Sequence, residues 1–168
     1  MKYEHWQIPA APEDAIKTLM DAGYPYLVSS VLAARGVTTS EQAAEALERE
    51  KTLAHSPFLM KDMDKAVERV ERAVRDHEKI MVYGDYDVDG CTAVALVYKF
   101  LRQIGHKNLM FYIPDRYTEG YGISVKGIDL AARKGVGLII ALDCGIKATE
   151  KVVYAKTKGV DFIICDHH

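Results

Sequence analysis

Between Gly84 and Gly90 the chain reads Gly84-Asp85-Tyr86-Asp87-Val88-Asp89-Gly90, placing three carboxylates at every second position behind the apolar run Met81-Val82-Tyr83. Carboxylates this close repel one another and lose hydration if partly buried, so without a counter-charge at least one should take up a proton. A divalent cation removes that conflict. The same spacing also opens an EF-hand calcium loop, which needs a glutamate six residues beyond the glycine. That position is Leu96, and a β-rich run rather than a helix precedes the loop. A solvated acidic turn holding no ion is the other alternative. A metal at the end of a strand is the favoured reading.

The pattern around the acidic loop says what must position it. Lys79 to Tyr83 reads as a strand, Cys91 to Ile104 as a helix apolar on most sides, and Leu109 to Ile113 as a second strand. After a polar loop, Ser124 should cap a helix that runs to about Lys134 and closes at Gly135. Gly137 to Leu142 is a continuous apolar third strand, Lys147 to Lys158 a helix stopped by Gly159, and Asp161 to Cys165 a fourth strand. Runs such as Leu138-Ile139-Ile140-Ala141-Leu142 suit strands covered on both faces, so an α/β fold with a doubly wound parallel sheet is expected. Parallel strands put Asp85, Asp87, Asp89, Asp143 and the segment Asp166-His167-His168 on one edge. Open α/β sheets bind ligands at that edge, beyond the carboxyl ends of their strands.

Ahead of this region the chain reads as short helices, with starts near Pro12-Glu13-Asp14, Tyr26 and the cap-like Thr39-Ser40-Glu41-Gln42. Ala43, Ala44 and Leu47 share one face. Phe58 and Leu59 are expected packing anchors after the break at Ser56-Pro57. Lys61 to His77 is an amphipathic helix whose charged face is expected in solvent. The chain thus divides into a helical segment, 1–60, and an α/β part, 61–168.

With 168 residues and 49% hydrophobic content, there is material for one ordinary core and a small appendage. A net charge of −2 gives no global attraction to nucleic acid or anionic membrane, so any polyanion must be held locally. Three widely spaced cysteines, Cys91, Cys144 and Cys165, argue against a disulfide framework or a zinc knuckle and read as small buried residues in a reducing compartment. No membrane-length apolar run is visible. A cytoplasmic location is expected. Tyr98, Phe100, Tyr112 and Phe162 are expected in the core, and His5, His55, His77 and His106 at the surface.

The ordered motifs resemble the DHH phosphoesterase family. Gly84 to Gly90 is similar to its first motif, Leu142-Asp143-Cys144-Gly145 to its second, and Asp166-His167-His168 to its third. Within the family, Ser56 to Met63 and Ile113-Pro114-Asp115-Arg116-Tyr117-Thr118-Glu119-Gly120-Tyr121-Gly122 resemble the branch of single-strand-specific 5′-to-3′ DNA exonucleases of repair and recombination. The resemblance implies that Asp87, Asp89, Asp143 and His167 are metal ligands, with Asp143 bridging two Mn2+ or Mg2+ ions. It places Asp85 and His168 just outside, orienting water or stabilising phosphoryl oxygens and the leaving group. Turn formation by Asp85 and fraying of His168 at the last position are the bland alternatives.

Arg116 and Tyr117, with Tyr121 nearby, offer a cation and aromatic faces suited to single-stranded DNA, although loops are often polar for no such reason. A single-strand-binding protein or a helicase is the expected protein partner. Family members continue into a fourth motif and further domains, so this chain is expected to be an N-terminal fragment of the catalytic domain, truncated after the third motif and with little activity alone. A phosphoesterase acting on very short RNAs, cyclic dinucleotides or pyrophosphate, and a non-catalytic binding module of the same fold, are the alternatives.

Overall fold

The computed structural model describes residues 10–47 and 55–168. His5 therefore lies outside the described residues. The chain forms two compact units, Met1–Leu59 and Met60–His168.

The first unit contains α1 (Glu13–Asp21), α2 (Tyr26–Ala34) and α3 (Ser40–Leu47). Its core gathers Ala15, Leu19, Leu32, Ala33 and Ala43. A reciprocal cap starts α3: Gln42 Oε1 accepts from the backbone N–H groups of Thr38 and Thr39, while Gln42 N–H donates to Thr39 Oγ1. Phe58 and Leu59 are exposed in a single 3-10 turn, Pro57–Leu59, which is too short to bury a face; they do not act as packing anchors.

The second unit runs α4 (Met63–Arg75), β1 (Lys79–Gly84), α5 (Val88–Gln103), β2 (Leu109–Tyr112), α6 (Val125–Arg133), β3 (Val136–Leu142), α7 (Thr149–Thr157) and β4 (Asp161–Cys165). All strand pairs are parallel, in the order β2-β1-β3-β4. Strand alternation divides the core into two layers. Ile80 and Val82 of β1, with Leu138, Ile140 and Leu142 of β3, pack against Ala73 of α4 and Val94 and Leu101 of α5. Met81, Tyr83, Ile139 and Ala141 face the opposite way, onto Ile128 and Ala131 of α6 and Ala155 of α7. Helices cover both faces, so the expected doubly wound α/β fold is present. The chain leaves β1 towards β2 on one side and returns to β3 on the other. The strand order therefore reverses between β1 and β3, which is where ligands of such sheets sit.

Several environments differ from the sequence reading. The charged face of α4 is not simply solvated: Arg69 donates through Nε to Asp161 Oδ2 and through Nη2 to Glu78 Oε2, both at 2.8 Å. Helix α5 meets the sheet through Val94 and Leu101, with Ala93, Val97 and Tyr98 partly buried beside them, leaving Leu96 and Phe100 exposed. Phe100 is thus not a core residue. His106 is buried at 3% exposure because its backbone N–H turns back to Leu101 O at the end of α5. Cys144 is buried, but Cys165 is exposed at the end of the edge strand β4. Among the described residues no helix is long and apolar enough to cross a membrane.

Candidate metal centre

The three strands that carry the acidic segments end in register. Gly84 of β1 pairs with Leu142 of β3, and Leu142 with Cys165 of β4, so Asp85, Asp143 and Asp166 follow directly from aligned strand ends. The backbone N–H of Asp143 donates to Cys165 O at 2.8 Å, and its φ of +59° is left-handed. Aspartate tolerates that region better than most residues, because its short polar side chain bonds locally.

This bend brings Asp143 Oδ1 to 2.9 Å from His167 Nε2. His168 Nδ1 lies 2.7 Å from Asp166 Oδ1, and Asp166 Oδ2 accepts from Ile146 N–H at 2.8 Å. Burial would raise the Asp166 carboxyl, but hydrogen bonds from Ile146 and His168 outweigh it and hold the group at about 2. The bond to Asp166 raises His168 above an ordinary imidazole. Donor atoms of Asp143, His167 and His168 all lie within 4.8 Å of one another.

Asp85 is 1% exposed, and among the described residues neither of its carboxylate oxygens finds a hydrogen-bond partner. A buried carboxylate left in this condition is costly and marks a position where a cation fits. Asp87 caps α5, its Oδ1 accepting from Gly90 N–H at 2.9 Å. Asp89 is exposed in the first helical turn. The Cys144 thiol is pushed up to about 12, by burial first and then by the negative charges of Asp85, Asp166, Asp143 and Asp87. Oxygen donors with imidazole nitrogens suit manganese or magnesium, so these residues fit such an ion.

A string of rings leads away from this centre. The Arg116 guanidinium lies 4.7 Å over the Tyr86 ring. Tyr86 meets Tyr121 edge-on at 6.5 Å, and Tyr121 meets His168 edge-on at 5.9 Å. Tyr121 OH also donates to Asp143 O at 3.3 Å. Beside it opens a groove of about 840 Å³ lined by Tyr121, Ile123, Ile146, Lys147, Lys151 and His168, among others. Tyr117 is 93% exposed.

The family described as DHH family, N-terminal domain, matches residues 79–168. The chain belongs to the DHH family. It is 38% identical over 164 residues to the single-stranded-DNA-specific exonuclease RecJ of Bacillus subtilis (strain 168), covering 97% of this chain and 21% of that protein. It is also 34% identical over 149 residues to RecJ of Escherichia coli (strain K12), covering 89% of this chain and 25% of that protein. A crystal structure of exonuclease RecJ bound to manganese superposes with a TM-score of 0.62 at 33% identity, over 69% of this chain and 29% of that one. A second, RecJ in complex with Mn2+ from Thermus thermophilus, gives a TM-score of 0.69 at 25% identity, over 96% and 22%. The chain therefore spans about a fifth to a quarter of the length of the RecJ proteins it matches. The resemblance to the DHH family read from the three motifs, and that to its single-strand exonuclease branch read from Ser56 to Met63 and Ile113 to Gly122, are borne out.

Within the DHH domain, the structure gathers Asp143, His167 and His168 tightly. Asp87 and Asp89 sit on the adjoining loop and first turn of α5, outside that trio. Sequence reasoning assigned no role to Asp166, which fixes both His168 and the turn at Ile146, and none to Tyr86, which supports Arg116. Both stand inside motifs that the sequence displays. Their contacts, however, depend on loops closing across different strands.

Proposed function

We propose that this chain is the metal-binding part of a RecJ-type exonuclease, which hydrolyses phosphodiester bonds of single-stranded DNA from the 5′ end in repair and recombination. The observation that carries the reading is the buried carboxylate of Asp85, without a hydrogen-bond partner among the described residues, at the switch point of the sheet, where the strand before it ends in register with the one before Asp143. Asp87, Asp89, Asp143 and His167 are the groups that would hold Mn2+ or Mg2+. When bound there, such ions would supply Lewis-acid activation of water and neutralise charge on the departing oxygen.

The remaining work falls to side chains of the chain itself. Asp85 orients water from beneath the site. His168, fixed through Nδ1 by Asp166, presents its other ring nitrogen to a phosphoryl or leaving oxygen. Arg116, held over Tyr86, meets a backbone phosphate, while exposed Tyr117 supplies a stacking face for a base. Catalysis of this kind depends on holding charge where it develops, which the strand ends and the Asp166 hydrogen bonds supply in advance.

The test is Mn2+-dependent digestion of a long 5′-phosphorylated single-stranded DNA beside a very short RNA, with Asp89→Ala as control and direct Mn2+ titration in parallel. Manganese binding with weak release of mononucleotides from the long DNA, lost in the variant, is the expected result for the chain alone. Preference for the short RNA would move the assignment to a small-substrate phosphoesterase. Failure to bind Mn2+ would sink both.

A further inference from the structure

The segment between β2 and α6 has no helix or strand, yet one acid ties it down. Glu119 has a side chain only 5% exposed, and four donors surround its carboxylate. Tyr112 OH at 2.7 Å and Ser124 Oγ at 2.6 Å donate to Oε2; Asp115 N–H at 3.0 Å and Lys126 Nζ at 3.5 Å donate to Oε1. Those donors come from the end of β2, the N-cap and first turn of α6, and the start of the loop itself. Glu119 N–H donates in return to Asp115 O at 2.9 Å, closing a turn with Arg116 and Tyr117 at its tip.

The tip is stiffened from inside by Asp115, whose Oδ1 accepts from the N–H groups of Tyr117 and Thr118 and from Thr118 Oγ1. On the far side, Ser124 caps α6 by accepting from Gly127 N–H. Its own N–H donates to the buried Tyr83 hydroxyl, which donates to Gly122 O. Among the described residues, the Glu119 side chain joins the tip to this anchored network by hydrogen bonds. A hydrophobic residue there could pack, but it would leave two hydroxyls and a backbone N–H without their acceptor.

We propose that Glu119 is a positioning residue for nucleic-acid binding, which fixes the 115–121 turn so that Arg116 and Tyr121 are set to receive a single-stranded DNA backbone without touching the DNA itself. This rests on the proposed function, because it assigns a role within the same site. A loose turn must be ordered on each binding event, which weakens affinity, whereas a turn ordered in advance avoids that loss. Since the carboxylate acts on the turn and not on the strand ends that carry Asp143 and His167, its loss should spare metal binding.

The experiment measures binding of a 5′-phosphorylated, phosphorothioate-linked oligothymidylate by fluorescence anisotropy in Mn2+, with Mn2+ affinity titrated separately. Glu119→Ala should weaken DNA binding about tenfold to a hundredfold and leave Mn2+ affinity unchanged. Glu119→Gln, which keeps one acceptor and can donate to the two hydroxyl oxygens, should restore most of the affinity. Because Glu119 acts through Arg116 and Tyr121, the double variant with Arg116→Ala should lose less affinity than the sum of the two single losses. If Glu119→Ala fails to fold, Tyr112→Phe, which removes one donor, should show a smaller loss of DNA affinity alone. Wild-type DNA affinity in Glu119→Ala or in Tyr112→Phe, additive losses, or parallel loss of DNA and Mn2+ would overturn the inference. A wild-type chain that binds no oligonucleotide would defeat the functional reading, and this inference with it.

Discussion

Asp143 Oδ1 stands 2.9 Å from His167 Nε2, linking the residue after β3 to the second residue after β4. Two groups that follow different strands meet because those strands end in register. The left-handed backbone at Asp143 turns the carboxylate into this position.

Asparagine tolerates the same backbone region, so Asp143→Asn should preserve the bend while removing charge from the site. Mn2+ affinity is expected to fall by at least about tenfold. The metal-free melting temperature should change by no more than about 4 °C, since the fold is kept. Isothermal titration and thermal melting read the two effects separately. Unchanged manganese affinity would remove Asp143 from the ligand set.

Asp85 gives an opposite signature. Its carboxylate oxygens are buried without partners among the described residues, so the metal-free protein carries the cost of that burial. Asp85→Asn should melt at or above the wild-type temperature without metal. Wild type should gain stability with Mn2+, by about 2.7 kcal/mol at a hundred times the dissociation constant. Because the Asp85 charge acts on the ion through oriented water, the variant should lose part of that gain. A destabilised metal-free variant would mean that Asp85 serves the fold and not the ion.

How much of this was legible beforehand follows from what each feature depends on. The sheet, its parallel sense and the gathering of acids on one edge follow from strand-length apolar runs separated by helical periodicity, which is local information. Ser124 was readable as a cap, and the structure has it accepting from Gly127 N–H as expected. Arg69 was not readable as anything but a solvated cation. Its partners Glu78 and Asp161 are distant in sequence or lie in a different element, and only the placement of α4 against the sheet joins them. The same holds for His106, where burial comes from the way the chain leaves α5. Phe100 and Leu96 mislead in the other direction: an apolar helix suggested cover on both sides, whereas its contact with the sheet runs along one stripe. At the site, the motif residues were visible as types, but the trio of Asp143, His167 and His168, and the supporting Asp166, needed the register of three strands.

Gly90 tests how closely the acidic loop must pack on α5. A Cβ there would stand 2.5 Å from Asp85 O and 2.6 Å from Asp85 N, both backbone atoms that cannot swing away. Gly90→Ala should therefore push the first turn of α5 off the loop and destabilise the protein by about 1–3 kcal/mol, measured by urea unfolding. Since Asp87 and Asp89 ride on that turn, Mn2+ binding should weaken as well. Wild-type stability in the variant would show that the loop and helix have more room than this packing allows.

The last expectation concerns acid. Burial would raise the Glu119 carboxyl, but hydrogen bonds from Ser124, Tyr112 and Asp115, with the charge of Lys126, prevail and bring it from the usual 4.5 to about 2. A carboxylate depressed on folding adds stability above its unfolded value, and that stability drains away as pH falls towards the folded one. The window is thus from about pH 5 down to pH 2. At 1.36 kcal/mol per pKa unit, and allowing for relaxation around the site, the contribution at neutral pH is on the order of 2 kcal/mol. Glu119→Gln lacks this linkage. Its stability deficit against wild type should be largest at pH 7, narrow below pH 5 and nearly close by pH 2 to 3, which paired denaturant titrations at each pH would resolve. A deficit that stays constant across that range would mean that the hydroxyls of Tyr112 and Ser124 favour the carboxylate no more than the amide, and that Glu119 holds the turn by shape and not by charge.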